Sequence, residues 1–258
     1  MKKLKISIAV IVVFITLVGS TNKMIPNLID GGYVNLLFNV NDDLNQQGLT
    51  YWNDNFYIGF DVGSNKGEII KYSKTGIKIS STGKIGIGHT ADLGFRKKNG
   101  KIYVANGGGS NRTHVYEVDF NKKHITKDIN LEQFGTAALL AIDNEKDRLI
   151  LHTSKGGDTG KITFSILNFN GKLLEEQFEI SNQGTPQGLE YYKSMLYYYT
   201  NNTITCINVK THSIVGKFHI KEKGESEGIT LVQDGSTTYL AIGYKKNNRV
   251  YSIKLNNI

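Results

Sequence analysis

The chain of 258 residues is poor in several features that would assign a function directly. It has one cysteine, Cys206, so no disulfide can form within it. The alternating apolar setting of that cysteine, "TITCINV", marks an inward-facing strand position and a buried thiol. It has one tryptophan, Trp52, and therefore lacks Trp-rich sugar subsites. There is no G-x-S-x-G nucleophile elbow. The six histidines fall without a second one at metal-ligand spacing, so no metal is expected. No dense Lys/Arg stripe is present, which argues against nucleic acid as a partner. No apolar run reaches the roughly 20 residues of a bilayer-spanning helix.

The longest apolar run, Ile6 to Val18, follows Lys2, Lys3 and Lys5 and precedes the small residues Gly19 and Ser20. That layout predicts a secretory signal peptide over residues 1–20, with an uncleaved anchor as the alternative. No cysteine follows the run, so a lipoprotein anchor is not expected. A disulfide-free, Lys/Asn/Ile-rich exported chain suits a Gram-positive export system and a secreted or wall-associated location. Formal charge is +8, and removal of the leader leaves +5, spread as pairs such as Lys122-Lys123 and Lys245-Lys246. Such a diffuse field favours anionic surfaces and also keeps a β protein soluble.

What the chain does contain is repetition. Gly is frequent (28 residues), Pro scarce (2), and Tyr, Val, Ile and Thr recur in short alternating runs, the pattern of many short strands. The step "QGLTY" at Gln47 returns as "ADLGF" from Ala91, a degenerate "AALLAI" from Ala137, "QGLEY" from Gln187 and "EGITL" from Glu227. The markers at 48, 92, 138, 188 and 228 lie 44, 46, 50 and 40 residues apart. Each is followed by a second and a third apolar run, and the first four copies continue into a fourth. This is the period of a propeller blade. The fifth copy stops after three strands, while an orphan run, "YVNLLFNV", precedes the first. The expected fold is all-β: a five-bladed β-propeller of four-stranded blades, its ring closed by an N-terminal strand that completes the last blade. Residues 21–43 then hold the closing strand and 44–258 the propeller, with a monomer as the expected state. An eight-stranded barrel and a β-sandwich are the competing architectures.

In a propeller the first strand of each blade lines the channel. The polar residues at those starts are Gln47, His89 with Asp92, Thr136, Gln187 with Glu190, and Glu225 with Glu227. Gln47, His89, Asp92, Gln187, Glu190 and Glu227 are the expected ligand-binding set at one channel mouth. Asp92 is placed to hold the imidazole of His89. Glu190, Glu227 and Asp92 are the acid–base candidates if the protein is an enzyme. The bland reading is that these groups bond neighbouring blades. The neighbouring glycines, Gly48, Gly188 and Gly228, permit close packing at the axis. Tyr51, Tyr57, Tyr191, Tyr192 and Tyr197 to Tyr199 lie beside the markers, where core packing is the default role. The run "ANGGGSNRTH" precedes a strand rather than a helix and lacks a Lys-Ser/Thr ending, so it reads as a hairpin loop. "GSNKGE" and "KGGDTGK" hold the same place in their blades.

The Gln/Glu-Gly-Leu-x-Tyr steps, the "GHTADLGFRKKNGKIYVAN" segment and the leader together resemble one group of five-bladed propellers. This is the propeller shared by teichoic acid biosynthesis protein C, staphylococcal phage receptor-binding proteins and helveticin J-type bacteriocins. The resemblance spans roughly Asn45 to Leu255. It implies an extracellular protein that recognises a cell-wall glycopolymer or an envelope partner, without a cofactor. Ala91 stands where the group carries a polar Asn in its "GH-x-N-D" step. "QGLEY" and "EGIT" are also similar to glutamine cyclotransferase propellers, which makes an exported enzyme the alternative. A purely structural scaffold is the third reading.

Overall fold

Period-two alternation gives each run two faces, and in the inner strands of this chain both faces find apolar cover. In a computed structural model, which describes residues 34–154 and 160–255, the repeats form five four-stranded antiparallel sheets arranged as a five-bladed propeller. Residues 1–20, the expected leader, and most of the "KGGDTGK" loop lie outside the described residues. The first strand, β1 (Asn35–Asn39), pairs with the last and is the outer strand of blade 5. Blade 1 comprises β2 (Asn45–Trp52), β3 (Asn55–Asp61), β4 (Gly67–Ser73) and β5 (Lys78–Ser81). Blade 2 comprises β6 (Asp92–Arg96), β7 (Lys101–Ala105), β8 (His114–Asp119) and β9 (His124–Asn130). Blade 3 runs from β10 (Thr136–Asp143) through β11 (Arg148–Ser154) and β12 (Lys161–Leu167) to β13 (Phe178–Ser181). Blade 4 holds β14 (Gly188–Tyr192), β15 (Met195–Thr200), β16 (Thr203–Asn208) and β17 (Ser213–His219). Blade 5 adds β18 (Glu225–Asp234), β19 (Thr237–Lys245) and β20 (Arg249–Lys254) to β1. Among the described residues the helical content is one 3-10 turn, Glu132–Phe134.

The core is divided into five apolar clusters, each between two neighbouring blades. Strand alternation explains the division. In "MLYYYT", Tyr197 and Tyr199 point toward blade 5 and pack with Ile229 and Ile242, while Tyr198 points toward blade 3 and packs with Ile150 and Phe164. All three tyrosines are fully buried, as is Cys206, whose thiol burial pushes up to about 12. Tyr57 is likewise core. Closure by β1 places Phe38 and Val40 in the cluster between blades 5 and 1, and its pairing with β20 covers that sheet edge.

Where the five inner strands converge, the backbones touch. A Cβ on Gly48 would lie 2.5 Å from the Cα of Asp92, and one on Gly188 2.8 Å from the Ile229 nitrogen. Gly228 adopts φ +74° and would meet the Leu49 nitrogen at 2.8 Å. Gly48→Ala is therefore expected to cost about 2–4 kcal/mol in urea denaturation. Gly86→Ala, where a Cβ would meet nothing within 4 Å, should stay within about 0.5 kcal/mol. Equal effects at the two positions would contradict close packing at the axis.

Candidate functional site

Three of the five inner strands are bulged at the repeat marker. In β2, Gln47 and Gly48 oppose Gly59; in β10, Ala137 and Ala138 oppose Thr153; in β18, Glu227 and Gly228 oppose Gly243. A bulge inserts one residue and re-aims its side chain. Here it directs Gln47 and Glu227 into a cavity of about 640 Å³ at one channel mouth. In blade 5 glycine opposite the bulge is required, because a Cβ on Gly243 would overlap the Glu227 carbonyl; blade 3 carries Thr153 at this place. His152 secures the bulge of blade 3. Its Nδ1 lies 3.2 Å from the Ala137 carbonyl and its Nε2 3.2 Å from the Tyr198 hydroxyl, and burial lowers its pKa to about 4. The neutral ring thus donates through Nδ1 and accepts through Nε2.

Four of the six expected site residues, Gln47, His89, Gln187 and Glu227, line this mouth. Gln47 Nε2 donates to Glu227 Oε1 at 3.4 Å, joining blades 1 and 5. Burial, helped by the charge of Glu225, pushes the Glu227 carboxyl up to about 8 against the opposing effects of Lys245 and Gln47. Lys245 and Glu225 form a rim ion pair at 3.4 Å. Thr136, Ser154 and Asn182 add polar groups, and Ala91, Ala137 and Ala138 keep the walls small. The Gly107–Asn111 turn of the glycine-rich hairpin packs on His89, so this loop belongs to the site wall.

The other two residues are elsewhere, and the expected His89–Asp92 pair does not form. His89 Nδ1 lies 2.7 Å from Asp61 Oδ2, on the end of β3 in the neighbouring blade. Asp92 is fully buried and lines neither mouth. Its Oδ2 accepts from the backbone nitrogens of Leu140 (3.2 Å) and Leu189 (2.8 Å), and its Oδ1 from Leu93 (3.1 Å). One carboxyl thus joins blades 2, 3 and 4 across the axis. Burial pushes its pKa well above the usual carboxylate range, while the three donors act the other way. Glu190 lies at the opposite mouth, in a separate cavity of about 390 Å³. It accepts from Leu231 N at 2.8 Å, Thr230 Oγ1 at 3.1 Å and Tyr191 N at 2.8 Å, clasping blade 4 to blade 5. Burial raises its pKa as well. The expected convergence of Asp92, Glu190 and Glu227 at one point is therefore corrected. Two are consumed by backbone donors, and Glu227 alone faces the first cavity.

Sequence reasoning missed Asp61, Lys245 and the second mouth. Asp61 ends a second strand rather than starting a first one, so the marker rule passed over it. The paired glycines of "YIGF" and "AIGY" were the available signal for the bulges, since they fall opposite Gln47 and Glu227. Among the described residues no group of three or more His, Cys, Asp or Glu side chains could hold a metal ion, and no helix is long and apolar enough to cross a membrane.

No protein-family model matches the chain, and no curated protein matches it in sequence. Solved structures do match in fold. The glutaminyl cyclase of Myxococcus xanthus superposes with a TM-score of 0.60 at 12% identity, covering 87% of this chain and 97% of that one. A chain of a nidogen–laminin complex gives 0.53 at 12% identity over 81% and 84%. The hydrazine synthase of Kuenenia stuttgartiensis gives 0.51 at 11% identity over 77% and 64%. At these identities the likeness is one of fold.

Glu227 supplies a pH test of the mouth. A carboxyl whose folded pKa is raised stabilises the fold below its ordinary value near 4.5, and that contribution is lost as pH rises through about 8. The melting temperature should therefore fall from pH 5 to pH 9, and Glu227→Gln should remove about 3–6 °C of that fall. Parallel melting profiles for the two proteins would show that Glu227 titrates normally.

Proposed function

We propose that the protein is an exported recognition propeller that takes a repeat unit of a Gram-positive wall glycopolymer, or an envelope partner bearing one, into the first mouth. The observation that carries this reading is the Glu227 carboxyl. It is buried, bonded through one oxygen to Gln47, and open through the other to a cavity sized for a small ligand. Held protonated near neutral pH, it both donates and accepts hydrogen bonds. No Phe, Tyr or Trp lines this mouth among the described residues. Its amides, hydroxyls and small walls favour an acyclic polyol over a flat ring. Lys245 stands at the rim, where a phosphodiester would meet an ammonium, and His89 offers a ring nitrogen. The resemblance of the repeat to envelope propellers supports the same class of ligand.

Catalysis is the second reading, favoured by the same group. A carboxyl with a pKa of about 8 is suited to proton transfer near neutral pH. The fold neighbour from Myxococcus xanthus is a glutaminyl cyclase. On this reading Glu227 moves the proton as an amino-terminal glutamine closes to a ring and releases ammonia. Loss of ammonia from a Gln-initiated peptide, abolished by Glu227→Gln, would establish it; an unchanged peptide mass would remove it.

Binding of the full chain to purified Gram-positive walls, before and after wall teichoic acid is stripped, tests the first reading. Binding should disappear with the polymer and weaken at least about tenfold in the His89→Ala/Gln187→Ala double variant. Equal binding to both wall preparations would overturn it.

A further inference from the structure

The opposite end of the channel carries a funnel that the proposed role of the first mouth does not use. It encloses about 390 Å³ between the ends of the inner strands. Thr50, Leu93 and Leu189, all buried, close its floor. Part of its wall is aromatic: Tyr51 and Trp52 of β2, Phe95 of β6, and Tyr191 and Tyr192 of β14; the carboxyls of Asp54, Asp143, Glu145 and Glu190 also line it. These rings are half-buried. Trp52 and Phe95 stack at 4.9 Å with an interplanar angle of 12°, which fixes the wall across the boundary between blades 1 and 2. Directional groups stand among the rings. Lys97 holds its ammonium 5.2 Å from the indole centroid, and Asn53 and Gln233 present amides at the exposed rim.

We propose that this second mouth is a binding site for a pyranose ring of a neutral glycan, independent of the first mouth. A pyranose offers a flat C–H face and a fringe of hydroxyls. The first needs an aromatic surface, and the second needs amides and an ammonium close to it. The funnel provides both in a volume suited to one or two rings. Asp92 is buried and lines neither cavity, and the two cavities share no lining residue.

Trp52 is the only tryptophan of the chain, so its emission reports this mouth alone. The full chain is titrated with chitotriose, maltotriose and laminaritriose while tryptophan fluorescence is read. At least one should give a saturable change, with a Kd of about 0.1–5 mM. The same titration should be unchanged within about twofold in Glu227→Gln, which alters only the first mouth. By calorimetry, Trp52→Ala should lose at least about tenfold in affinity, and Trp52→Phe, which keeps a ring in place, should bind with a smaller loss. Circular dichroism of each variant separates lost binding from lost fold. No saturable response to any of the three sugars up to about 50 mM would overturn the proposal. So would binding that persists unchanged in a folded Trp52→Phe and Trp52→Ala pair, or that vanishes with Glu227→Gln.

Discussion

The carboxyl of Asp92 is the constraint around which the ring is organised. Where the inner strands of blades 2, 3 and 4 converge, three backbone N–H groups meet one carboxyl. Leu140 and Leu189 donate to one oxygen of Asp92, and Leu93 donates to the other. A buried carboxyl is costly unless its lone pairs are used, and here three donors use them. The remaining junctions are closed by analogous means. Glu190 clasps blade 4 to blade 5, Gln47 and Glu227 join blades 5 and 1, and Gly48 N donates to the Thr90 carbonyl at 3.1 Å between blades 1 and 2. The apolar clusters between blades supply bulk stability, and the axial bonds set the register of the ring.

The two ends of the channel carry cavities with different chemistry. One is walled by small residues and holds Glu227, whose carboxyl is bonded to Gln47; the other carries aromatic rings and holds Glu190, whose carboxyl accepts three hydrogen bonds. Three carboxyls that the chain places at or beside the repeat markers have different fates, set by the donors each one meets. Asp92 meets three backbone donors, and Glu190 two backbone donors and the Thr230 hydroxyl, and both act structurally. Glu227 sits on a bulge, which turns it away from the ladder and toward the cavity.

Much of this was legible in the sequence. The 40–50-residue marker spacing, the three-stranded fifth copy and the orphan run before the first copy together specified five blades and their closure by β1. Alternation in "MLYYYT" specified buried tyrosines, and "TITCINV" a buried thiol. The site was legible only in part. Residues at strand starts were correctly read as channel-facing, but a strand start does not say how deep a side chain lies. Asp92, one residue beyond Ala91, falls at the axis, while Glu190 falls past it. The His89 partner was misjudged for a related reason: sequence proximity suggested Asp92, whereas the neighbouring blade brings Asp61 closer. Contacts between blades depend on the rotation of one repeat against the next, which no single repeat encodes. The glycines opposite the bulges of blades 1 and 5 carried the remaining signal, because a second-strand glycine in an otherwise apolar run marks a place too crowded for a Cβ.

The most direct test of the account is urea denaturation of Asp92→Asn beside the parent chain. An asparagine fills the same space but presents an NH₂ where one set of backbone donors requires an oxygen. If Asp92 organises the ring, the substitution should cost at least about 3 kcal/mol, with the remaining folded protein losing ligand at neither mouth selectively. A loss under about 0.5 kcal/mol would contradict the account, because the three backbone donors would then be served without the carboxylate.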